Sequence, residues 1–135
     1  MSILDIPEKV QKLFNDQEII SFGTADVNNI PNVVAVFWKK IINEKTILLI
    51  DNYMNQTKKN IEQNSKVCLS FWDRKTGEGY KIKGDAFYHI SDQVFDQGKE
   101  FIQEQRPEKN PKGVVEVKVK DIYLITPGSD AGAKI

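Results

Sequence analysis

The alternation of apolar and polar residues along the chain predicts mostly β-structure. Apolar side chains at every second position place one face of a strand in a core, because successive side chains point to opposite faces. Residues 66–73 and 80–90 both alternate in this way. Gly84 interrupts the second segment, which predicts a bulge or a sharp coil there. Further strands are predicted at residues 19–25, 31–38 and 46–51 and from Val115 onward, so the pattern gives six in all.

Two of the predicted strands depart from simple alternation. Residues 33–38 are apolar without a break, which predicts burial on both faces of that strand. In the last strand the alternation ends beyond Asp121, where the following four residues are all apolar. Either a bulge near Lys120 and Asp121 or burial of both faces would explain this change.

Apolar residues with helical spacing predict three short helices, at residues 6–15, 55–63 and 92–105. Asp5 and Glu8 have the spacing of a capping box before the first helix. Asn64 suits the left-handed position that closes the second, and Ser91 can cap the third. Six strands with only three short helices favour a closed or half-closed antiparallel barrel, because closure removes exposed strand edges.

Length and charge narrow the class of protein. The 135 residues fit one domain, residues 1–135, and the Gly- and Ala-rich residues 128–135 are predicted to form a loose tail. Lys and Arg number 19, as do Asp and Glu, so the net charge of zero argues against a nucleic-acid partner. No apolar stretch reaches the roughly 20 residues that span a bilayer, so no membrane partner is predicted. A single cysteine, Cys68, excludes an internal disulfide and favours a cytoplasmic location.

The candidate chemistry lies just after the strand at residues 46–51. A short polar turn there leads into a helix that opens with Thr57 and Lys58. Backbone amides at a helix N-terminus, with a hydroxyl and an ammonium beside them, are typical of a phosphate site. The competing interpretation is an ordinary solvated first turn. His89 is the only histidine, so neither a metal site with histidine spacing nor a hydrolytic triad is predicted.

An ordered set of segments resembles the FMN-binding split-barrel family, which includes pyridoxamine 5′-phosphate oxidase and small FMN-binding proteins. The segments are residues 31–36, residues 48–52, Met54, Thr57, residues 60–61 and residues 79–84. The resemblance extends from about Val10 to Pro127. It implies a mainly β fold, a six-stranded antiparallel Greek-key split β-barrel with short flanking helices. It also implies a homodimer with FMN in a groove between the two subunits.

The same resemblance implies which residues bind the cofactor. The flavin ring would lie along Val33, Val34, Ala35 and Val36, and the turn formed by Asp51, Asn52, Tyr53 and Met54 would contact its polar edge. Asp51 has two open roles, orienting Asn52 or accepting a hydrogen bond from the flavin. Thr57 matches the hydroxyl position of the phosphate site, and Lys58 supplies the charge because Gln56 stands where many relatives have lysine. Trp72 is a candidate for stacking on the flavin from the partner subunit, with core or dimer packing as its alternative role.

The leading functional hypothesis is a cytoplasmic, dimeric, FMN-dependent oxidoreductase acting on a small-molecule redox substrate or electron partner. True pyridoxamine 5′-phosphate oxidases carry arginine and histidine near the C-terminus for their substrate. This chain has only Arg74 and Arg106 and ends Gly-Ala-Lys-Ile, so it resembles a relative without that substrate site. The alternatives are a non-enzymatic FMN electron carrier, a barrel for another flat cofactor such as deazaflavin or haem, and a cofactor-free interaction module.

Overall fold

The computed structural model describes residues 5–135, and this part of the chain contains seven strands and three helices. The strands are β1 Ile20–Ala25, β2 Pro31–Val36, β3 Lys39–Asn43, β4 Thr46–Asp51, β5 Lys66–Trp72, β6 Gly79–His89 and β7 Gly113–Leu124, and the helices are α1 Glu8–Asp16, α2 Gln56–Gln63 and α3 Gln93–Gln105. The strands form one antiparallel sheet in the order β2-β1-β5-β6-β7-β4-β3, which curls into a half-barrel. The predicted mainly β class is confirmed, with seven strands instead of six.

The additional strand is β3, which pairs with β4 at one edge of the sheet. Its residues Lys39, Lys40, Ile41, Ile42 and Asn43 do not alternate, and the register shifts within the strand between Ile41 and Asn43. An edge strand with a bulge has no continuous buried face to impose alternation on the sequence. The pattern of apolar residues therefore gave no sign of it.

The main core lies on the side of the sheet that α1 covers, where β5 shows the predicted alternation. Val67, Leu69 and Phe71 are buried, and the two residues between them are partly exposed. The ring of Phe71 meets that of Phe14 from α1 edge to face, with 5.3 Å between the ring centres. Burying each such ring contributes about 1.5–3 kcal/mol, so this contact attaches α1 to the sheet.

The bulge predicted at Gly84 is confirmed, and it explains the broken alternation in β7. The register between β6 and β7 moves from Lys83 opposite Asp121 to Gly84 opposite Val119, which leaves Lys120 as the extra residue. A Cβ at position 84 would lie 2.2 Å from the carbonyl oxygen of Lys118, so only glycine fits. Of the two explanations that the sequence left open, the structure therefore selects the bulge.

The bulged lysine takes part in an ion cluster around the largely buried carboxylate of Asp85. The Nζ atoms of Lys120 and Lys66 lie 2.5 Å and 2.9 Å from the Asp85 carboxylate. Burial alone would raise the pKa of Asp85, but the hydrogen bonds from the two lysines outweigh it and lower that pKa. The cluster joins β5, β6 and β7 beside the bulge.

The prediction that residues 33–38 are buried on both faces is wrong. In β2 the side chains alternate between exposed and more buried positions, and Val33 is 68% exposed. The reason is topological, because β2 is the edge strand and pairs only with β1. An apolar strand at an open edge is typical of a surface that another chain covers.

The predicted helix caps are also corrected. Pro7 precedes α1 without a side-chain capping bond, so no capping box forms with Asp5. Asn64 closes α2 with φ −145°, which is extended and not left-handed. The cap of α3 is Asp92 instead of Ser91, and its carboxylate accepts a 3.0 Å hydrogen bond from the amide of Phe95. Pattern matching at helix ends is uncertain by one or two residues, which accounts for the shift from Ser91 to Asp92.

The C-terminal residues run back along β7. The amide of Leu124 donates to the carbonyl of Ala133 at 2.8 Å, and that of Ile135 donates to Ile122 at 2.9 Å. An ion pair of 3.0 Å joins Lys134 to Asp121. The mobility of this tail and the single-domain assignment stay predictions. Between residues 5 and 135, no helix has both the length and the apolar character that crossing a membrane requires.

Candidate functional site

A cavity of about 380 Å³ lies between β2 and the turn that joins β4 to α2. Val34, Ala35 and Val36 of β2 line it, as do Asn52, Tyr53 and Met54 of the turn. Phe37, Trp38, Ile50 and Lys109 complete the lining. The volume lies within the range of about 300–1,000 Å³ typical of small-molecule sites. The structure thus brings together six of the residues predicted to bind the cofactor, from two segments separated in sequence.

The walls of the cavity are largely apolar. The rings of Phe37 and Trp38 lie with their centres 5.6 Å apart, and the guanidinium of Arg106 lies 5.9 Å from the Trp38 ring centre. Among the lining residues within the described part of the chain, Lys109 alone is charged and Asn52 alone carries an amide. Apolar walls with few polar groups suit a flat aromatic ring, whose orientation those polar groups would set.

The turn beside the cavity is held by Asp51, which is fully buried. One carboxylate oxygen accepts the amide of Met54 at 2.7 Å, and the other accepts the hydroxyl of Tyr88 from β6. Lys112 adds a bond from its amide to the Asp51 carbonyl at 2.8 Å and another from its ammonium to the Met54 carbonyl. Both carboxylate oxygens of Asp51 are thus used within the chain, by Met54 and Tyr88, and the two roles that the sequence left open, towards Asn52 and towards a flavin, stay predictions.

The surroundings of Tyr88 favour its contact with Asp51, both by keeping the hydroxyl protonated and by leaving space for the ring. Burial raises the pKa of the Tyr88 hydroxyl, and the hydrogen bond to Asp51 raises it further. Gly113 makes room for the ring, since a Cβ there would lie 2.3 Å from the ring carbon Cζ of Tyr88. Residue 113 is also the partner of Asp51 in the pairing of β4 with β7. The sequence gave no sign of this arrangement, because its three parts lie far apart in the chain.

The side chain of Thr57 points into the protein, where it is 1% exposed. Its hydroxyl accepts a 3.0 Å hydrogen bond from the amide group of Asn32. Asn32 also donates to the hydroxyl of Thr24 at 3.4 Å, as does Asn60 at 2.9 Å. Gln56 in turn donates to the side-chain oxygen of Asn60 at 2.8 Å. This polar network attaches α2 to β1 and β2. The Thr57 oxygen is therefore already an acceptor within the fold, and the buried side chain keeps only its O–H as a donor.

The ammonium of Lys58 is directed to another element. It lies 5.2 Å from the ring centre of Tyr88 on β6, in a cation–π contact. Asn55 makes no side-chain cap, and the first turn of α2 has no acidic residue. The backbone amides of the first helical residues have no acceptor within the helix, as at any helix start. These amides are the donors that the opening of α2 offers to an anion.

Five of the predicted residues do not line the cavity, namely Asp51, Thr57 and Lys58, whose contacts are given above, and Val33 and Trp72. Val33 faces the other side of β2, where it lines a second, more open cavity of about 550 Å³ with Gly23, Cys68 and Lys83. Trp72 stands half exposed at the end of β5 and lines neither cavity. A role in flavin stacking from a partner subunit therefore stays a prediction for Trp72.

Lys109 is a lining residue that the sequence did not suggest. It belongs to the loop between α3 and β7, and Gln103 holds its carbonyl through a 2.8 Å hydrogen bond. The pairing of Gly113 with Asp51 brings this loop to the cavity from more than fifty positions along the chain. A polar, lysine-containing loop was the only signal in the sequence, and such loops are common connectors.

His89 is held by two ion pairs within the fold, and Cys68 is a partly buried thiol. The Nδ1 and Nε2 atoms of His89 lie 2.6 Å from Asp92 and 3.0 Å from Glu116, which links β6 to α3 and β7. Burial raises the pKa of the Cys68 thiol, although Lys81 and Lys83 oppose the shift. Nowhere in residues 5–135 do three or more His, Cys, Asp or Glu side chains form a group that could hold a metal ion.

Comparison with known proteins identifies the family. The family model described as pyridoxamine 5′-phosphate oxidase matches residues 6–126. An uncharacterized protein of Methanocaldococcus jannaschii is 36% identical over 136 residues, which cover 99% of this chain and 90% of that protein. The crystal structure of Group A Streptococcus HupZ has a TM-score of 0.83 and 28% identity, and covers 94% of this chain and 99% of its own.

A more distant structure supports the fold alone. The crystal structure of an FMN-binding protein from Syntrophomonas wolfei has a TM-score of 0.77 at 17% identity, and covers 90% of this chain and 86% of its own. The ordered segments in residues 31–84, the curled antiparallel sheet and the family match over residues 6–126 agree. This chain belongs to the pyridoxamine 5′-phosphate oxidase family.

Proposed function

We propose that this protein binds FMN in the cavity between β2 and the β4–α2 turn and works as an FMN-dependent oxidoreductase in the cytoplasm. The observation that carries the proposal is the cavity itself, about 380 Å³ with apolar walls, placed beside a helix start that has neither a side-chain cap nor an acidic first turn. Its occurrence in a chain of this family makes a flavin the ligand of choice.

The lining residues fit a flavin ring in chemical type. Val34, Val36 and Met54 offer apolar contact, and Trp38 offers an aromatic wall. The side-chain amide of Asn52 can pair with the carbonyl and imide groups at the polar edge of a flavin. When bound, FMN supplies the transfer of electrons or hydride, and the protein supplies binding, orientation and exclusion of water.

A homodimer is part of the proposal. Val33 of the edge strand β2 is 68% exposed, and Phe37, which follows that strand and lines the cavity, is 49% exposed. A second copy of the chain that covered this surface would bury it and narrow the mouth of the cavity. Apolar surface removed from water contributes about 25 cal/mol per Å², which makes such burial the main driving force for association.

Absorption spectroscopy on the purified full chain tests the flavin proposal. We expect a visible flavin band, either on purification or after added FMN is removed by gel filtration. Ala35→Phe narrows the cavity and should lose the band, while Ala131→Phe, at an exposed position in the tail, should keep it. A colourless protein that leaves the fluorescence of added FMN unchanged would contradict the proposal, and a Soret band would replace flavin with haem.

Turnover is measured separately, because binding alone would also suit an electron carrier. Oxidation of reduced nicotinamide cofactors with small electron acceptors should proceed with the FMN-loaded protein and stop in the Ala35→Phe variant. A loaded protein that only exchanges electrons with other redox proteins would leave the carrier function in place of the enzymatic one.

A further inference from the structure

We propose that this protein recognises a flavin through its ring and gains little affinity from the phosphate, so that it does not discriminate strongly between FMN and riboflavin. The inference rests on the proposed function and names the ligand class more closely. It comes from a mismatch within the site, where the ring cavity is well formed and the side chains predicted to bind phosphate are engaged in contacts inside the protein.

Three contacts carry the inference. The buried hydroxyl of Thr57 accepts a hydrogen bond from Asn32 at 3.0 Å. Gln56 is uncharged, and its amide group donates to Asn60 at 2.8 Å. The ammonium of Lys58 lies over the ring of Tyr88, 5.2 Å from its centre. Moving Lys58 to a phosphate would break a contact between α2 and the sheet, and moving Gln56 would break a bond within α2. The hydroxyl of Thr57 keeps its proton as a donor, but the side chain is 1% exposed.

What remains for a phosphate at the start of α2 is the set of backbone amides and the helix dipole. At a partly exposed helix end, that dipole contributes a factor of at most about five in affinity for an anion, and a backbone amide that donates to the phosphate adds about tenfold. Two charge-assisted hydrogen bonds from side chains would instead favour the phosphorylated ligand by more than about 100-fold. The ratio of the two dissociation constants therefore separates the two modes of recognition.

The ring cavity, by contrast, has its groups in place. Asn52 and Tyr53 lie on a turn that Asp51 and Lys112 fix through hydrogen bonds. A preorganised wall loses little conformational entropy on binding, which concentrates affinity on the part of the ligand it contacts. The phosphate-free flavin keeps all of those contacts.

Fluorescence titration of the full-length apoprotein with FMN and with riboflavin tests the proposal, at one ionic strength and again at higher salt. We expect FMN to bind less than about 100-fold more tightly than riboflavin, with a weak salt dependence for both ligands. FMN bound more than about 100-fold more tightly than riboflavin would overturn this proposal and leave the proposed function standing. A protein that binds neither flavin would overturn both.

A matched pair of variants locates the phosphate. Gln56→Lys adds an ammonium at the exposed first position of α2, and Gln63→Lys makes the same change at the exposed last position of that helix, about 10 Å away. We expect Gln56→Lys to tighten FMN about tenfold and to leave riboflavin unchanged, and Gln63→Lys to affect neither. An FMN affinity that Gln56→Lys does not improve, or that Gln63→Lys improves equally, would overturn the placement of the phosphate at the start of α2.

Discussion

The hydroxyl of Tyr88 on β6 donates a hydrogen bond to the buried carboxylate of Asp51, at the end of β4. The same carboxylate accepts a hydrogen bond from the amide of Met54. Asp51 therefore connects β6 to the turn that lines the cavity. The geometry of the candidate site therefore depends on Asp51 and Tyr88, neither of which lines the cavity. Tyr88 is in this sense a positioning residue.

Tyr88→Phe is expected to destabilise the protein by about 1–3 kcal/mol, since it leaves a buried carboxylate oxygen without its donor. The free energy of unfolding from a urea titration measures this loss. Tyr53→Phe serves as the control, because the side chain of Tyr53 is 87% exposed and should change stability little. Equal stability of the two variants would contradict the orienting role assigned to the Tyr88–Asp51 contact.

The glycine at the bulge gives a second prediction. Gly84→Ala forces a Cβ to within 2.2 Å of the carbonyl oxygen of Lys118, which is backbone and cannot turn aside. We expect a loss of about 1–3 kcal/mol in the free energy of unfolding. Gly23→Ala in β1 is the matched control, since its nearest neighbour would be at an ordinary 3.5 Å. A Gly84→Ala variant as stable as Gly23→Ala would show that β6 and β7 accommodate the extra residue elsewhere.

Acid stability should depend on Asp85. In the unfolded chain its pKa is near 3.8, and in the folded protein the lysines at positions 66 and 120 lower it. The stabilisation is therefore complete above the unfolded pKa and is lost as the pH falls towards the folded one, because the unfolded state takes up the proton first.

Asp85→Asn removes this titration, so its free energy of unfolding should be lower at neutral pH and change less as the pH falls below about 4. Urea titrations across this range measure the slope. Asp130→Asn, at an exposed position in the tail, should keep the wild-type slope. Parallel slopes for the wild type and Asp85→Asn would assign the acid sensitivity to other carboxylates.

Thr57→Val tests whether the threonine hydroxyl serves the fold or the ligand. Its removal deprives Asn32 of an acceptor in a buried network, and we expect a loss of about 1 kcal/mol in stability. The ratio of FMN to riboflavin affinity should change by less than about threefold. A selective loss of FMN affinity at unchanged stability would return Thr57 to the phosphate site that the sequence suggested.

The proposed dimer predicts an effect of charge on the exposed face of β2. Val33→Lys should shift the protein towards a monomer in sedimentation velocity, because a buried ammonium without a partner is costly. Ile90→Lys is the control, since Ile90 is 63% exposed at the far end of β6 and should leave the mass unchanged. A wild-type protein that sediments as a monomer at high concentration would contradict the dimer.

Several features of the fold were predictable because their signals are local. The alternation in β5 indicates that one face of the strand packs against the core. The interruptions at Gly84 in β6 and beyond Asp121 in β7 both indicate the same bulge. The polar turn after β4 and the helix that follows it were equally visible. The spacing of apolar residues along a helix or strand shows which of its faces is buried, and this spacing does not depend on which elements lie next to it.

Other features could not be read in this way. The apolar run in β2 has the same composition whether the strand is central or at an edge, and strand order alone decided between them. The sequence around a threonine in a first helical turn does not show whether its hydroxyl faces an anion or, as Thr57 does, the side chain of Asn32. Lys109 reaches the cavity because β4 pairs with β7, a relation that no local pattern contains.

The sequence by itself determined the mainly β class, the family and the two segments that form most of the cavity lining, because periodicity and ordered motifs are properties of the chain. The tertiary structure decided which side chains face the cavity and which are used in holding the turn. A hydrogen-bonding group that is satisfied within the protein is no longer free for a ligand, and only the folded arrangement of Asn32, Thr57, Asp51 and Tyr88 shows where those bonds are made.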